Sequence, residues 1–271
     1  MRKVKPIFLF ADSQILFWSN KDGLFINRLR ETIEDDENRP EGEITAVYIG
    51  ASNGDKPEYY DIFTAAMKQI DITDCRHIKS KPTADDYSFL RTADMILLAG
   101  GDTYKGWNVI QKTELHQKIV ENYHNGGLLI GISAGAIQLG MRGWKKTKKI
   151  PNDVFETFQL VPAVIDVHDE GDWEFLRSMV LHTGENNRGY GIPAGGGTIY
   201  HPDWSFEAIR HHTIEYSYLH GDIIRSLIFP KGEGKHDELP TEPNDHRGKV
   251  IKPDEIMTSG IINIDPEIIE S

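Results

Sequence analysis

Along the first half of the chain, short runs of branched and aromatic residues alternate with longer amphipathic stretches. Residues 5–10, 44–50, 71–79, 94–99 and 127–131 are of strand length, and several are nearly continuous in apolar character, as strands buried on both faces are. Between several of them lie segments of helical length. Residues 20–32 space Leu24, Asn27, Arg28 and Glu31 around a Phe25/Leu29 stripe, and residues 56–70 set Ile62, Ala66 and Ile70 on one helical face. Residues 107–123 repeat apolar positions near the helical period. Strand followed by helix, several times over, predicts right-handed crossovers and an α/β fold whose mostly parallel central sheet is covered on both faces. A sheet of this kind gathers ligands at the carboxyl ends of its strands.

From Phe158 the pattern changes. FQLVPAVIDVH (158–168) predicts a strand entering a polar loop, and GDWEFLRSMVLHTG (171–184) a short helix ended by Gly184. GYGIPAGGGTIYHP (189–202) predicts two short strands, or one strand with a tight turn. The polar stretch EDDENRPEGE (34–43) is expected to be a solvated surface loop. A longer polar excursion at 230–246 precedes a C-terminal extension that could return one or two strands to the domain edge. No repeat or firm boundary divides the chain, so residues 1–271 are expected to form a single α/β domain.

Composition narrows the possible partners. The 271 residues, 39% hydrophobic and 10% aromatic, suffice for a sizeable core. A formal net charge of -12 disfavours non-specific binding to nucleic acid or an anionic membrane. The N-terminal MRKVKPIFLFADSQ has too short an apolar run for a secretory leader, and no uninterrupted apolar run reaches the length of a membrane span. A soluble cytoplasmic protein is expected. Cys75 is the single cysteine and is expected in or near the core. Oligomeric state, including a homo-oligomer, is left open. The one basic island, MRGWKKTKKIPN (141–152), is either a solvated loop or a rim that attracts an acidic substrate.

Candidate chemistry centres on LLIGISAGAIQLG (128–140), where Gly131-Ile132-Ser133-Ala134-Gly135 fits the G-x-S-x-G nucleophile elbow. A serine on a sharp strand-to-helix turn projects its hydroxyl into a cleft, and the N–H of Ala134 would face a developing oxyanion. The alternative is a small residue in a tight strand–helix junction. A second glycine corner in MILLAGGDTYKG (95–106) offers the N–H of Gly101 or Asp102 as another oxyanion donor. Asp102 and Thr103 are a candidate pair for substrate contacts, against a plain helix-capping role for Asp102. A serine needs a base, and of 11 histidines His168 stands out by ending an apolar strand. His182, His201 and His220 match no metal motif, His211 and His212 with His220 and Asp222 are the alternative set for a metal, and neither a metal nor a cofactor is required by the chemistry.

Four ordered blocks, LLAGGDTYKGW, LIGISAGAIQLG, FQLVPAVIDVH and YGIPAGGGTI, make the chain over about residues 5–210 resemble the serine peptidases that include peptidase E (aspartyl dipeptidase) and cyanophycinase. The resemblance implies a three-layer α/β/α fold, Ser133 as nucleophile, His168 as catalytic histidine, a GGDT turn lining the site, and cleavage of a small peptide or isopeptide at acidic or aspartyl residues. An acidic substrate side chain calls for a cation, with Arg142, Lys145, Arg177 and Arg188 as candidates. The chain departs from the family where a glutamate usually orients the histidine, since the matching position is Ala194. Asp169, Glu170 and Asp166 are the nearest substitutes in sequence, with Asp172 and Asp203 further candidates from loops. The remaining alternatives are a serine–histidine dyad, or a degenerate site that binds a peptide or protein partner without turnover. An amidotransferase reading wants cysteine where this chain has Ser133.

Overall fold

The structure is a computed structural model that describes residues 2–169 and 171–231. Strand β1 (Ile7–Phe10) runs into a 3₁₀ turn at Ser13–Phe17, a small hairpin of β2 (Ser19–Asn20) and β3 (Gly23–Leu24), and helix α1 (Asn27–Glu34). Next come β4 (Thr45–Ile49), a 3₁₀ turn at Ala51–Asn53, α2 (Pro57–Lys68), β5 (Asp74–Ile78), α3 (Ala84–Thr92) and β6 (Met95–Leu98). Helices α4 (Thr103–Lys112) and α5 (Leu115–His124) lead to β7 (Leu128–Ile132), α6 (Ala134–Leu139) and a hairpin of β8 (Arg142–Trp144) and β9 (Val154–Glu156). The rest comprises β10 (Val164–Val167), α7 (Glu174–Thr183), β11 (Arg188–Ile192), β12 (Gly197–Tyr200), β13 (Phe206–Ile209), β14 (Thr213–Leu219) and β15 (Asp222–Ile228).

The central sheet has the order β13-β12-β1-β7-β6-β4-β5. Its strands β1, β7, β6, β4 and β5 are parallel, while β12 and β13 add antiparallel strands beyond β1. Both faces are buried. Along β1, Ile7 and Leu9 join a core with Trp107, Ile110 and Ile119, whereas Phe8 and Phe10 face Leu29, Ile33, Phe63 and Met67. Period-two alternation therefore sends successive side chains into two apolar layers, one under α1 and α2 and the other under α3 to α6. This is a three-layer α/β/α arrangement. Among the described residues, no helix is long and apolar enough to cross a membrane.

Several expectations are corrected. Residues 20–32 are not one helix: the Asn20 side chain accepts the Asp22 N–H and Gly23 takes φ 113°, so the chain turns a hairpin and α1 begins only at Asn27. The helical stretch 107–123 is cut at Thr113, which is extended and whose hydroxyl oxygen accepts the Leu115 N–H. On α2 the buried stripe is Phe63, Ala66 and Met67, while Ile62 is exposed. The polar run 34–43 is not all surface. Asp36 is buried and accepts hydrogen bonds from Arg2 Nε at 2.8 Å and Lys5 Nζ at 2.9 Å. Burial alone would push its carboxyl up, but those two cations outweigh it and bring it down to about 2.

β10 lies outside the central sheet, in a second sheet of order β10-β11-β14-β15, where β10 and β11 are parallel. Pro230 and Lys231 begin the polar excursion; the rest of it and the C-terminal extension lie outside the described residues.

Candidate active site

In the central sheet β7 lies between β1 and β6, so three carboxyl ends meet at one edge: Ala11–Asp12, Ala99–Gly101 and Ser133. Ser133 links β7 to α6 at φ 50° and ψ -109°. A non-glycine residue held there carries about 1–3 kcal/mol of backbone strain, so the surroundings must fix it. They do so through the Ser133 N–H, which donates to the Phe10 carbonyl at 2.8 Å, and the Ser133 carbonyl, which accepts the Ile137 N–H at 3.1 Å. The flanking glycines are required by close packing. A Cβ on Gly131 would lie 2.6 Å from the Ala136 nitrogen, and one on Gly135 would run into the Leu98 carbonyl.

The neighbouring corner is equally tight. A Cβ on Gly100 would lie 3.3 Å from that of Ser133, and Gly101 holds φ 135° where a Cβ would strike the Ser52 carbonyl. Among the described residues no acceptor takes the N–H of Gly101 or of Ala134. Asp102 differs: its N–H donates to the Ser52 carbonyl at 2.8 Å, so it is not a free oxyanion donor. The Asp102 carboxylate caps α4 through the Lys105 N–H at 2.9 Å and meets Lys146 Nζ at 3.6 Å. Thr103 is buried, and its carbonyl accepts from Gln138 Nε2, which also reaches Ser52 Oγ at 3.2 Å. The pair proposed for substrate contacts thus braces the corner, and neither residue lines the cleft over Ser133.

His168 follows β10 at φ 61°, with its N–H on the Ile192 carbonyl at 3.2 Å. The second sheet therefore carries the imidazole, at the carboxyl end of its strand. Ser133 and His168 line the same cleft of ≈ 210 Å³, together with Asp12. Within the described residues neither the Ser133 hydroxyl nor the His168 ring makes a hydrogen bond.

Asp12 is the residue that sequence reasoning missed. It directly follows β1 in FLFADS, and its carboxylate accepts the Gln14 N–H at 2.9 Å and the Gly195 N–H at 2.6 Å. Gly195 adjoins Ala194, so this acid sits against the turn from which the family's glutamate would come. It is the one carboxylate among the residues described as lining the cleft. Asp166, Asp169, Asp172 and Asp203, the described acids named from sequence, do not line the cleft. Asp169 accepts the Gly171 N–H at 2.9 Å, Asp172 that of Glu174 at 3.1 Å and Asp203 that of Ser205 at 3.0 Å. Asp166 is buried, with one oxygen on the Val167 N–H and the other without a partner, and burial pushes its carboxyl up to about 6. Glu170 lies outside the described residues.

The expected cations are also elsewhere. Arg142 pairs with Glu156 at 3.0 Å, Arg188 with Glu215 at 3.4 Å and Lys145 with Asp153 at 3.9 Å. None of these, nor Arg177, lines the cleft. Its walls are Leu16, Tyr48, Tyr59, Ile62, Phe63 and Ile132. Tyr48 accepts a hydrogen bond from Asn53 at 2.6 Å, and burial pushes its phenol up to about 12, so it is neutral at ordinary pH. Among the described residues no group of three His, Cys, Asp or Glu side chains is gathered to hold a metal ion, the His211, His212, His220 and Asp222 set included.

A larger cleft of ≈ 740 Å³ lies between the β2–β3 hairpin and β13. There Arg28 gives two hydrogen bonds to Glu207, at 2.7 and 2.9 Å, and His201 lies 3.0 Å from the same carboxylate. Arg210, also in this cleft, donates to the Gly195 carbonyl at 3.2 Å.

The sequence model of peptidase family S51 matches residues 20–197, a span holding both glycine corners, β10 and the Ala194 turn. Among solved structures, a peptidase from an acI-B1 Actinobacterium superposes with a TM-score of 0.58 at 14% identity, covering 84% of this chain and 95% of that one. A putative peptidase E protein from Listeria monocytogenes EGD-e superposes with a TM-score of 0.54 at 16% identity, covering 77% of this chain and 99% of that one. At these identities the likeness is one of fold. A search of curated proteins gives no match to the sequence.

Proposed function

Because the chain belongs to peptidase family S51, and so to the serine peptidase-type hydrolases, we propose that it cleaves an amide bond of a small peptide through an acyl-enzyme on Ser133. The carrying observation is the strained Ser133 corner opening on the cleft that His168 also lines. His168 takes the hydroxyl proton as Ser133 Oγ bonds to the substrate carbonyl carbon. The N–H groups of Ala134 and Gly101 hold the resulting oxyanion. His168 then gives its proton to the amine as the C–N bond breaks. Water, deprotonated by the same imidazole, cleaves the ester and restores the serine. Asp12 is the acid that orients His168 in place of the carboxylate missing at Ala194. Hydrogen bonds of this kind are often loose before substrate binds and tighten in the complex.

A fluorophosphonate probe tests the reading. Wild-type protein is expected to be labelled and Ser133→Ala not, with amide hydrolysis falling at least about 10³-fold. Failure of the wild type to label at high probe concentration would falsify it. The absence of a hydrogen bond between Ser133 and His168 supports a second reading, a site that captures a peptide without turnover. Under that reading His168→Ala leaves capture intact, and a dipeptide library yields no Ser133-dependent release of amino acids.

A further inference from the structure

We infer that the Ser133 cleft selects an apolar or aromatic side chain on the residue whose carbonyl is attacked, and disfavours an acidic one. The inference rests on the hydrolase reading above. Three separate elements supply the apolar wall. Leu16 comes from the turn after β1, Tyr48 from β4 and Phe63 from α2, all almost wholly buried. At the mouth α2 presents Tyr59 and Ile62, which remain 48% and 38% exposed. Positions 59, 62 and 63 share one helical arc, so α2 continues the apolar wall from floor to lip. Large apolar groups left exposed beside a cleft of this kind mark a surface that a ligand covers.

Charge points the same way. No lysine or arginine is among the residues described as lining the cleft, and the only acid is Asp12. A carboxylate side chain entering it would lose its hydration, meet no counter-ion and approach Asp12. Cations outside the lining do not relieve this, and Arg210 is held on the Gly195 carbonyl at 3.2 Å. Lys146 pairs with Asp102 and is itself 83% exposed, and Lys105 stands beside Gly54; neither lines the cleft. At ≈ 210 Å³ the space is below the roughly 300–1,000 Å³ of clefts that enclose whole small ligands. It suits one side chain.

The test uses the full chain and the p-nitroanilides of phenylalanine, leucine and aspartate, which share a leaving group. In parallel, phenylalanine- and aspartate-derived aldehydes compete with fluorophosphonate labelling of Ser133. The apolar compounds are expected to exceed the acidic one at least about 100-fold, in kcat/KM and in protection from the probe. Ile62→Arg, a change at an exposed position, should narrow that ratio about tenfold by placing a cation at the lip. Labelled protein that treats aspartate and phenylalanine alike, or prefers aspartate, overturns the inference and leaves the hydrolase reading standing. Protein that is never labelled overturns both.

Discussion

The cleft beside the β2–β3 hairpin is more than three times the volume of the one over Ser133, ≈ 740 against ≈ 210 Å³, yet the buried acid in its lining, Glu207, already has its partners. Arg28 spends two donors on Glu207, and His201 takes up the same carboxylate. In the smaller cleft the Ser133 hydroxyl, the His168 ring and the Gly101 N–H are unspent, as is the N–H of Ala134 next to Ser133, while the backbone beneath them is over-determined by close packing. Size does not locate chemistry here. Unused hydrogen-bonding capacity on a rigid frame does, because such groups are costly unless a substrate completes them. The two clefts adjoin at the Gly195 turn, whose N–H serves Asp12 on one side and whose carbonyl serves Arg210 on the other.

The contrast can be broken at several points. Asp12→Asn keeps the shape of the acid and removes its charge, so kcat is expected to fall by about 10²–10⁴ with KM little changed. If KM rises while kcat holds, Asp12 binds substrate instead of orienting His168. Gly101→Ala places a methyl against the Ser52 carbonyl at φ 135°, and is expected to cost about 2–3 kcal/mol in urea unfolding and about 100-fold in kcat/KM. Gly23→Ala in the larger cleft is the matched control. It also has a positive φ, of 113°, but its Cβ would meet only Asn27 at 3.9 Å, so about 1 kcal/mol and no change in hydrolysis are expected. Equal costs at the two glycines would mean that the Ser133 corner is no tighter than an ordinary turn.

The smallest effect expected is that of Glu207→Gln. Burial raises the Glu207 carboxyl, but the hydrogen bonds and charge of Arg28, with help from His201, leave it below the ordinary range. A carboxyl depressed on folding stabilises above its unfolded pKa of about 4.3, and that contribution is lost as pH falls through the folded value. The variant should therefore be about 1–2 kcal/mol less stable at pH 7 and converge on wild type once pH has fallen through the depressed folded value. Its kcat/KM should match wild type. A parallel loss of activity would show that the Gly195 turn couples the clefts.

Much of the frame was legible in the sequence. The five parallel strands could be read because short runs of branched and aromatic residues separated by helical lengths mark buried strands, and the two glycine corners because few residues other than glycine tolerate such close approaches. What escaped depends on which distant strand lies alongside. Nothing local tells that β1 borders β7, so Asp12 looked like an ordinary residue after a strand. The Asp102 N–H looked available because Ser52, which takes it, lies in a turn after another strand. Helical period found α2 and the face shared by Ile62, Ala66 and Ile70 but not which arc turns inward, which is centred on Phe63, Ala66 and Met67. Asp36 was hidden in a polar run because its partners, Arg2 and Lys5, come from the other end of the first crossover.

One strand near the start of the chain supplies both the carbonyl that pins Ser133 and the aspartate of the same cleft, and it pairs with β7 and β12, far along the chain. Such distant partners join late in folding. A ribosome-bound chain would thus hold Asp12 without its Gly195 partner, and the outer side of β1 without β12, until synthesis had passed that strand.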